Sequence, residues 1–330
     1  MGLRSIELFH IAVPLKKPIR HASHERTSSD NLVVRVTLDE GQQGYGEGVP
    51  RDYVTGETIE STFATLARFD AARHLGTPRS FVEIVRRLEA LSLPETLADP
   101  RGMAGNSARC ALELAILDAY GHRFGQSLGK AITMMGVEGV QATASPQRVR
   151  YSGAITADDP RRERIAAWKM RLYGFSQTKL KVGVAGQDDP ARLARIRRIL
   201  GRRMDLRLDA NEAWKAAEVV DRVRPLLEFS PSALEQPVPH AQVDSLTELR
   251  PQLGLPVMLD ESLCGYPDAV NAVEAGTADL FNVRLSKCGG SCHPCGSWDS
   301  HSAPALGSSS AATRARPASS RRRDDTSPAT

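Results

Sequence analysis

Residues 178–183 read TKLKVG. The segment has the apolar, β-branched content of a buried strand, yet it carries lysines at 179 and 181. Residues two apart on a strand point the same way, so both ammonium groups share one face. A solvated sheet face gives the same pattern, so its meaning depends on the neighbouring segments. Comparable short apolar stretches recur at YSGAI (151–155), LRLDA (206–210), ALEQP (233–237), VMLDE (257–261) and LFNVRLSK (280–287), with helix-like sequence between them. That rhythm predicts the βα repeat of a parallel barrel. Six strands are visible, where a closed barrel of this type has eight.

Three of these strands end in acids: Asp209, Glu235 and Asp260, spaced 26 and 25 residues apart. The C-terminal ends of consecutive strands sit side by side at one rim of a parallel barrel, so the three carboxylates are expected to converge. Left alone they would repel and raise one another's pKa. A divalent cation resolves this, and all-oxygen ligands favour a hard ion such as Mg²⁺. Lys179 and Lys181 then face the barrel mouth one strand before the acids, and Lys287 closes the sixth strand on the far side. A lysine near a cation and partly desolvated has a lowered pKa and can act as a base. Each feature alone has a plainer reading: a strand-end Asp is commonly a helix cap, and LEQP a turn. The joint pattern favours the site.

The first 130 residues follow another rule. LRSIELFHIAV (3–13) and NLVVRVTL (31–38) read as strands, GYGEG (44–48) as a glycine-dense break, and 58–91 as helical. Asn106 or Ser107 can cap a helix in which Cys110, Leu114, Leu117 and Phe124 recur at helical spacing. This predicts an α+β domain ahead of the barrel.

Composition narrows the function. The net charge is +4, half of it from five arginines against three aspartates in residues 291–330. The body therefore carries no basic face of the kind nucleic-acid binding needs. No apolar run is long enough to span a membrane, and the first residues lack a signal-peptide core. Five unevenly spread cysteines predict reduced thiols and a cytoplasmic protein.

Taken together, GYGE (44–47), the helix at 108–118, TKLKVG, LDAN (208–211), LEQP (234–237), LDES (259–262) and NVRLSKCGG (282–290) resemble the muconate-lactonising-enzyme subgroup of the enolase superfamily, also described as the mandelate racemase/muconate lactonising enzyme family. The resemblance covers about 1–290. It implies an α/β architecture with an N-terminal α+β capping domain (1–130) and a modified (β/α)₇β TIM-like barrel (131–290), here with strands 1–6 and without its last strands. It implies Mg²⁺, with Mn²⁺ as an alternative, on Asp209, Glu235 and Asp260. Lys181 and Lys287 are the implied acid/base pair on opposite faces. Lys179 holds the substrate carboxylate, and Asn211, Glu261 and Asn282 support the metal and lysines. The shared step removes a proton α to a carboxylate through an enediolate. Because that proton is very weakly acidic, the intermediate needs fixed positive charge. Cycloisomerisation, racemisation, epimerisation and a dehydration of the o-succinylbenzoate-synthase type all remain open. In such enzymes the capping loops set specificity, here LKKPIRHASHERTSS (15–29) and PRDYVTGET (50–58), with His21, His24, Arg26 and Tyr53 facing a small-molecule carboxylate substrate. No nucleic-acid or membrane partner is expected, and a homo-oligomer is.

After Gly290 the resemblance stops, and 291–330 read as a disordered, Ser-, Ala-, Arg- and Pro-rich tail. Residues 311–328, AATRARPASSRRRDDTSP, can be encoded by synonymous codons that spell CHPGETGLLSAAGRHFA in another frame, a string like the family's next segment. The expectation is a coding-frame shift near Gly290. On that view Cys292-His293-Pro294-Cys295 is neither a zinc nor a redox site and SSRRRDD no nucleic-acid motif. The alternative function is then a non-catalytic product with an incomplete, weakly stable barrel whose first and sixth strands expose unpaired edges. Sequencing the source DNA across codons 280–330 is expected to reveal one insertion or deletion that restores the family-like string; an intact frame would contradict it.

Overall fold

A computed structural model describes residues 2–20, 25–94, 101, 103–135, 150–156, 159–292 and 313–314. The chain begins with an antiparallel sheet of β1 (Leu3–Arg20), β2 (Glu25–Leu38) and β3 (Gln43–Gly48), in that order. Leu32, Val34, Val36 and Leu38 of β2 alternate into the core, as a period of two requires. Helices α1 (Ile59–Ala67), α2 (Phe81–Glu89), α3 (Asn106–Phe124) and α4 (Leu128–Met134) belong to this unit, and all four contribute to the core cluster built on the sheet. Both hairpin strands outrun the predicted limits. The described part of 15–29, expected as a loop, is strand at 15–20 and 25–29. The segment 50–58 is also partly ordered, with a helical turn at Asp52–Thr55. His21 and His24 lie outside the described residues.

The glycines of QGYGEG have a packing cause. Gly44, Gly46 and Gly48 occupy the buried positions of β3, and α3 lies directly on them. A Cβ on Gly46 would stand 2.1 Å from the Ala111 carbonyl oxygen and 2.5 Å from the Ala115 nitrogen. Only glycine lets helix and strand backbones approach so closely.

The second unit is a parallel sheet of β4 (Ser152–Ile155), β5 (Gln177–Lys181), β6 (Asp205–Asp209), β7 (Ala233–Glu235), β8 (Val257–Leu259) and β9 (Leu280–Phe281), each beside the next. Crossovers run through α5 (Pro160–Leu172), α6 (Asp189–Leu200), helical turns at 216–229 and 240–252, and α7 (Tyr266–Ala275). Leu180, Leu208, Leu234 and Leu259 join Leu193, Ile196 and Val219 in the core, leaving the alternate strand positions for the other face.

Three expectations are corrected here. The sixth strand stops at Phe281, and Lys287 lies on a one-turn helix, α8 (Leu285–Cys288). Strand β8 offers partners only to Leu259, so the ladder ends where the Asn282 N–H donates to the Leu259 carbonyl at 2.9 Å. The sixth strand's outer edge is paired as well: β10 (Thr313–Arg314) runs antiparallel to β9. Finally, Ser291 and Cys292, assigned to the tail, are held by Glu113 of α3, with Cys292 fully buried. The rest of that tail, 293–312 and 315–330, lies outside the described residues. Among the described residues no helix is long and apolar enough to cross a membrane.

Gly46→Ala is expected to lower unfolding stability by about 1–3 kcal/mol, the usual cost of overpacking. Urea denaturation checks this, and an unchanged midpoint would contradict the helix-on-strand contact.

Candidate active site

Register places the candidate residues. Lys181 pairs with Asp209, and Asp209 pairs with Glu235, so the three occupy one row across β5, β6 and β7. Lys179 and Arg207 form the row beneath, on the same face. Asp260 directly follows β8. Asp209, Glu235 and Asp260 are all buried, and Glu235 is fully enclosed.

Cations surround these acids. The Lys179 Nζ lies 2.6 Å from Asp209 Oδ2 and 3.4 Å from Glu235 Oε1. Arg207 Nε is 3.1 Å from Glu235 Oε2, and Asn282 Nδ2 donates to Glu235 Oε1 at 2.8 Å. On the far side, Lys287 Nζ donates to Asp260 Oδ1 at 2.8 Å and to the Asn282 carbonyl at 3.2 Å, and it also reaches the Asp260 carbonyl. Arg284 donates to the same Oδ1 at 2.7 Å. Asn211 Nδ2 reaches Glu261 Oε1 at 3.4 Å, and the Asn211 N–H reaches Asp209 Oδ1 at 3.1 Å.

The Gln236 side chain fixes the rim. Its Oε1 accepts from the Asp260 and Ser262 N–H groups at 3.0 and 3.1 Å, and its amide nitrogen donates to the Val238 carbonyl and the Ser262 hydroxyl. The backbone here takes the left-handed region at Gln236 (φ 37) and at Asn211 (φ 43). Such conformations persist only where surrounding contacts over-determine them.

The two lysines of TKLKVG differ electrostatically. Burial disfavours the charge on Lys179, but Asp209, Glu235 and Asp260 outweigh it and hold its pKa above the ordinary value. Lys181 is half-buried. Its desolvation, reinforced by the like charge of Lys179, outweighs Asp209 and Glu261 and lowers its pKa. Burial and the charge of Asp209 push the Glu235 carboxyl up to about 7, against Lys179 and Arg207. Burial would also raise Asp260, but Lys287 and Arg284 reverse that and hold it low.

The structure thus brings Asp209, Glu235, Asp260, Lys179, Lys181, Lys287, Asn211, Glu261 and Asn282 together at one end of the sheet. Arg26 and Tyr53 belong to the N-terminal unit: the Arg26 guanidinium lies 5.9 Å from the Tyr53 ring centre, and Tyr53 packs against a small buried cluster that includes Cys264, three residues beyond Glu261. The sequence reading missed Arg207, Arg284 and Gln236. The signal for Arg207 was its place two residues before Asp209, on the same face. The donor chemistry of the three acids suits a hard divalent cation: all oxygen and buried, with the Glu235 pKa raised first by burial and then by its acidic neighbour. In the structure the acids are spread across the neighbouring ammonium and guanidinium groups. Among the described residues no three His, Cys, Asp or Glu side chains stand close enough to share an ion.

Residues 162–293, which contain all nine of these positions, match the family profile "Enolase C-terminal domain-like". The chain is 30% identical over 295 residues to L-Ala-D/L-Glu epimerase of Bacillus subtilis (strain 168), covering 88% of this chain and 75% of the relative. It is 30% identical over 296 residues to muconate cycloisomerase 1 of Rhodococcus opacus, covering 88% and 74%. The crystal structure of N-succinyl Arg/Lys racemase from Bacillus cereus ATCC 14579 superposes with a TM-score of 0.72 at 26% identity, over 88% of this chain and 74% of that one.

Because Glu235 rises to about 7 from an ordinary 4.5, the folded chain keeps a proton that the unfolded chain releases between those pH values. Stability attributable to this group therefore falls as pH rises through that window. Without added divalent cation, Glu235→Gln is expected to gain on the order of 2–3 kcal/mol over wild type between pH 4.5 and 7.5. Denaturant titrations at the two pH values check this; a pH-independent difference would contradict it.

Proposed function

The chain belongs to the enolase superfamily, in the subgroup that holds muconate cycloisomerases together with racemases and epimerases, all of them isomerases; on that premise we propose that it moves the proton α to a substrate carboxylate. The observation that carries this reading is geometric: Lys181, Asp209 and Glu235 stand in one row across β5, β6 and β7, Asp260 follows β8, and Lys287 reaches Asp260 from beyond it.

Asp209, Glu235 and Asp260 would hold the Mg²⁺ ion, with Mn²⁺ a chemically similar substitute. When bound, that ion supplies positive charge where the substrate carboxylate gains negative charge on losing its α-proton. Lys181 is the base. Its lowered pKa raises the neutral fraction available to accept a proton near neutral pH. Lys179 stays protonated and offers fixed charge to the substrate carboxylate. Lys287, on the far side of the three acids, is the proton donor for the other face. Asn282 bridges the two sides, donating to Glu235 and accepting from Lys287. Arg26 and Tyr53 would meet the distal end of the substrate.

Lysines on both sides of the acids allow 1,1-proton transfer, hence racemisation or epimerisation, and equally allow a one-base cycloisomerisation or dehydration. Relatives act on dipeptides and N-succinyl amino acids, and substrates of those classes are the first to test. With Mg²⁺ in D₂O, NMR is expected to show exchange of the substrate α-proton. Lys181→Ala and Lys287→Ala are each expected to lower it by about 10²-fold or more. Exchange undiminished in both variants would overturn the assignment.

A further inference from the structure

Lys287 sits on a single helical turn beyond the end of its strand, and that turn is fastened from the N-terminal unit. Ser286 Oγ accepts from the Val49 N–H at 2.7 Å, one residue after β3. Asn106, the first residue of α3, donates from Nδ2 to the carbonyls of both Lys287 and Cys264 at 2.8 Å. Two turns along α3, Glu113 Oε1 accepts from the Ser291 N–H at 2.6 Å, the Ser291 hydroxyl at 2.9 Å and the Cys292 N–H at 2.9 Å. Asn106 and Glu113 are buried, and their seven-residue spacing puts them on one face of the helix. Between these two clamps the chain turns at Gly289 and Gly290, with φ of 83° and 104°. A Cβ on Gly290 would lie 2.6 Å from the Glu113 carboxylate, so the close seat admits only glycine.

We propose that Asn106 and Glu113 are positioning residues for Lys287: helix α3 of the N-terminal unit sets where the second acid/base lysine stands. The inference rests on the proton-transfer reading above for its consequence, but not for its geometry. The backbone of Lys287 takes its place from the carbonyl clamp of Asn106 on one side and the three-fold anchor of Glu113 on the other. Its own sheet has no ladder left to hold it. The N-terminal unit therefore acts on one of the two proton transfers, while Lys181, inside the ladder of β5, is independent of it.

The test uses the full chain with Asn106→Ala, Glu113→Ala and the conservative Glu113→Gln, which keeps the Oε1 acceptor. First, without substrate or metal, backbone amide exchange is followed by mass spectrometry. Both alanine variants are expected to speed exchange at 285–292 by about 10-fold while β5 and β6 stay protected, and Glu113→Gln is expected to stay close to wild type. Second, with Mg²⁺, α-proton exchange is measured separately for the two enantiomers of N-succinyl-arginine. The enantiomer whose exchange depends on Lys287 is expected to lose about 10-fold in kcat with KM unchanged, and the other to stay within about two-fold. Unchanged amides at 285–292, or equal losses for both enantiomers, would overturn the proposal. If wild type exchanges neither enantiomer, N-succinyl-arginine is not its substrate, and the amide result alone upholds or overturns the positioning claim. Should an alanine variant not fold, Glu113→Asp, which withdraws the acceptor by one methylene, takes its place with the same expectations.

Discussion

Three carboxylates withdrawn from water on neighbouring strand ends repel one another, and much of the second unit is arranged around that repulsion. Buried charges are tolerated only when paired. Lys179 and Arg207 answer Asp209 and Glu235 from within the sheet, and Lys287 and Arg284 answer Asp260 from beyond it. The pairing is uneven. Asp260 is fully compensated and held low, whereas Glu235 stays under-compensated and rises to about 7. An under-compensated buried acid among oxygen ligands is where a further positive charge gains most.

The same arrangement separates the two lysines of one strand. Their backbone settings are alike, and position decides their chemistry. Lys179 points among the acids and becomes a counter-ion, whereas Lys181, one row nearer the mouth, is desolvated with weaker compensation. A lysine meant to stay charged and a lysine meant to lose its proton can thus stand two residues apart. The second unit supplies this row by its register, and the N-terminal unit completes the site by clamping the turn that carries Lys287.

Much of this was legible in the sequence, for identifiable reasons. Acids at 209, 235 and 260 follow apolar runs, and a parallel sheet puts such positions at one rim whatever the details of its helices. The period of two in TKLKVG gave the shared face. What the sequence hid depends on tertiary partners. Lys287 read as strand because NVRLS is β-rich, but a strand needs a neighbour, and β8 is too short to provide one. Asn106 read as a helix cap, yet its amide spans to Lys287 and Cys264, a use no local pattern encodes. Arg207 and Arg284 carry no signal of their own in the sequence, because their task exists only once the acids are buried beside them. The glycines of GYGEG read as a chain break and proved to be a strand with a helix pressed against it.

The central proposal is that Asp209, Glu235 and Asp260, which do not stand close enough to share an ion in the structure, would draw together around one divalent cation. Isothermal titration of the full chain with Mg²⁺ at pH 6.5, in buffers of different ionisation enthalpy, tests it most directly. The account predicts one Mg²⁺ per chain, a net proton release as Glu235 is driven to ionise, and loss of both in Glu235→Gln. No measurable binding, or binding to Glu235→Gln equal to wild type, would contradict it.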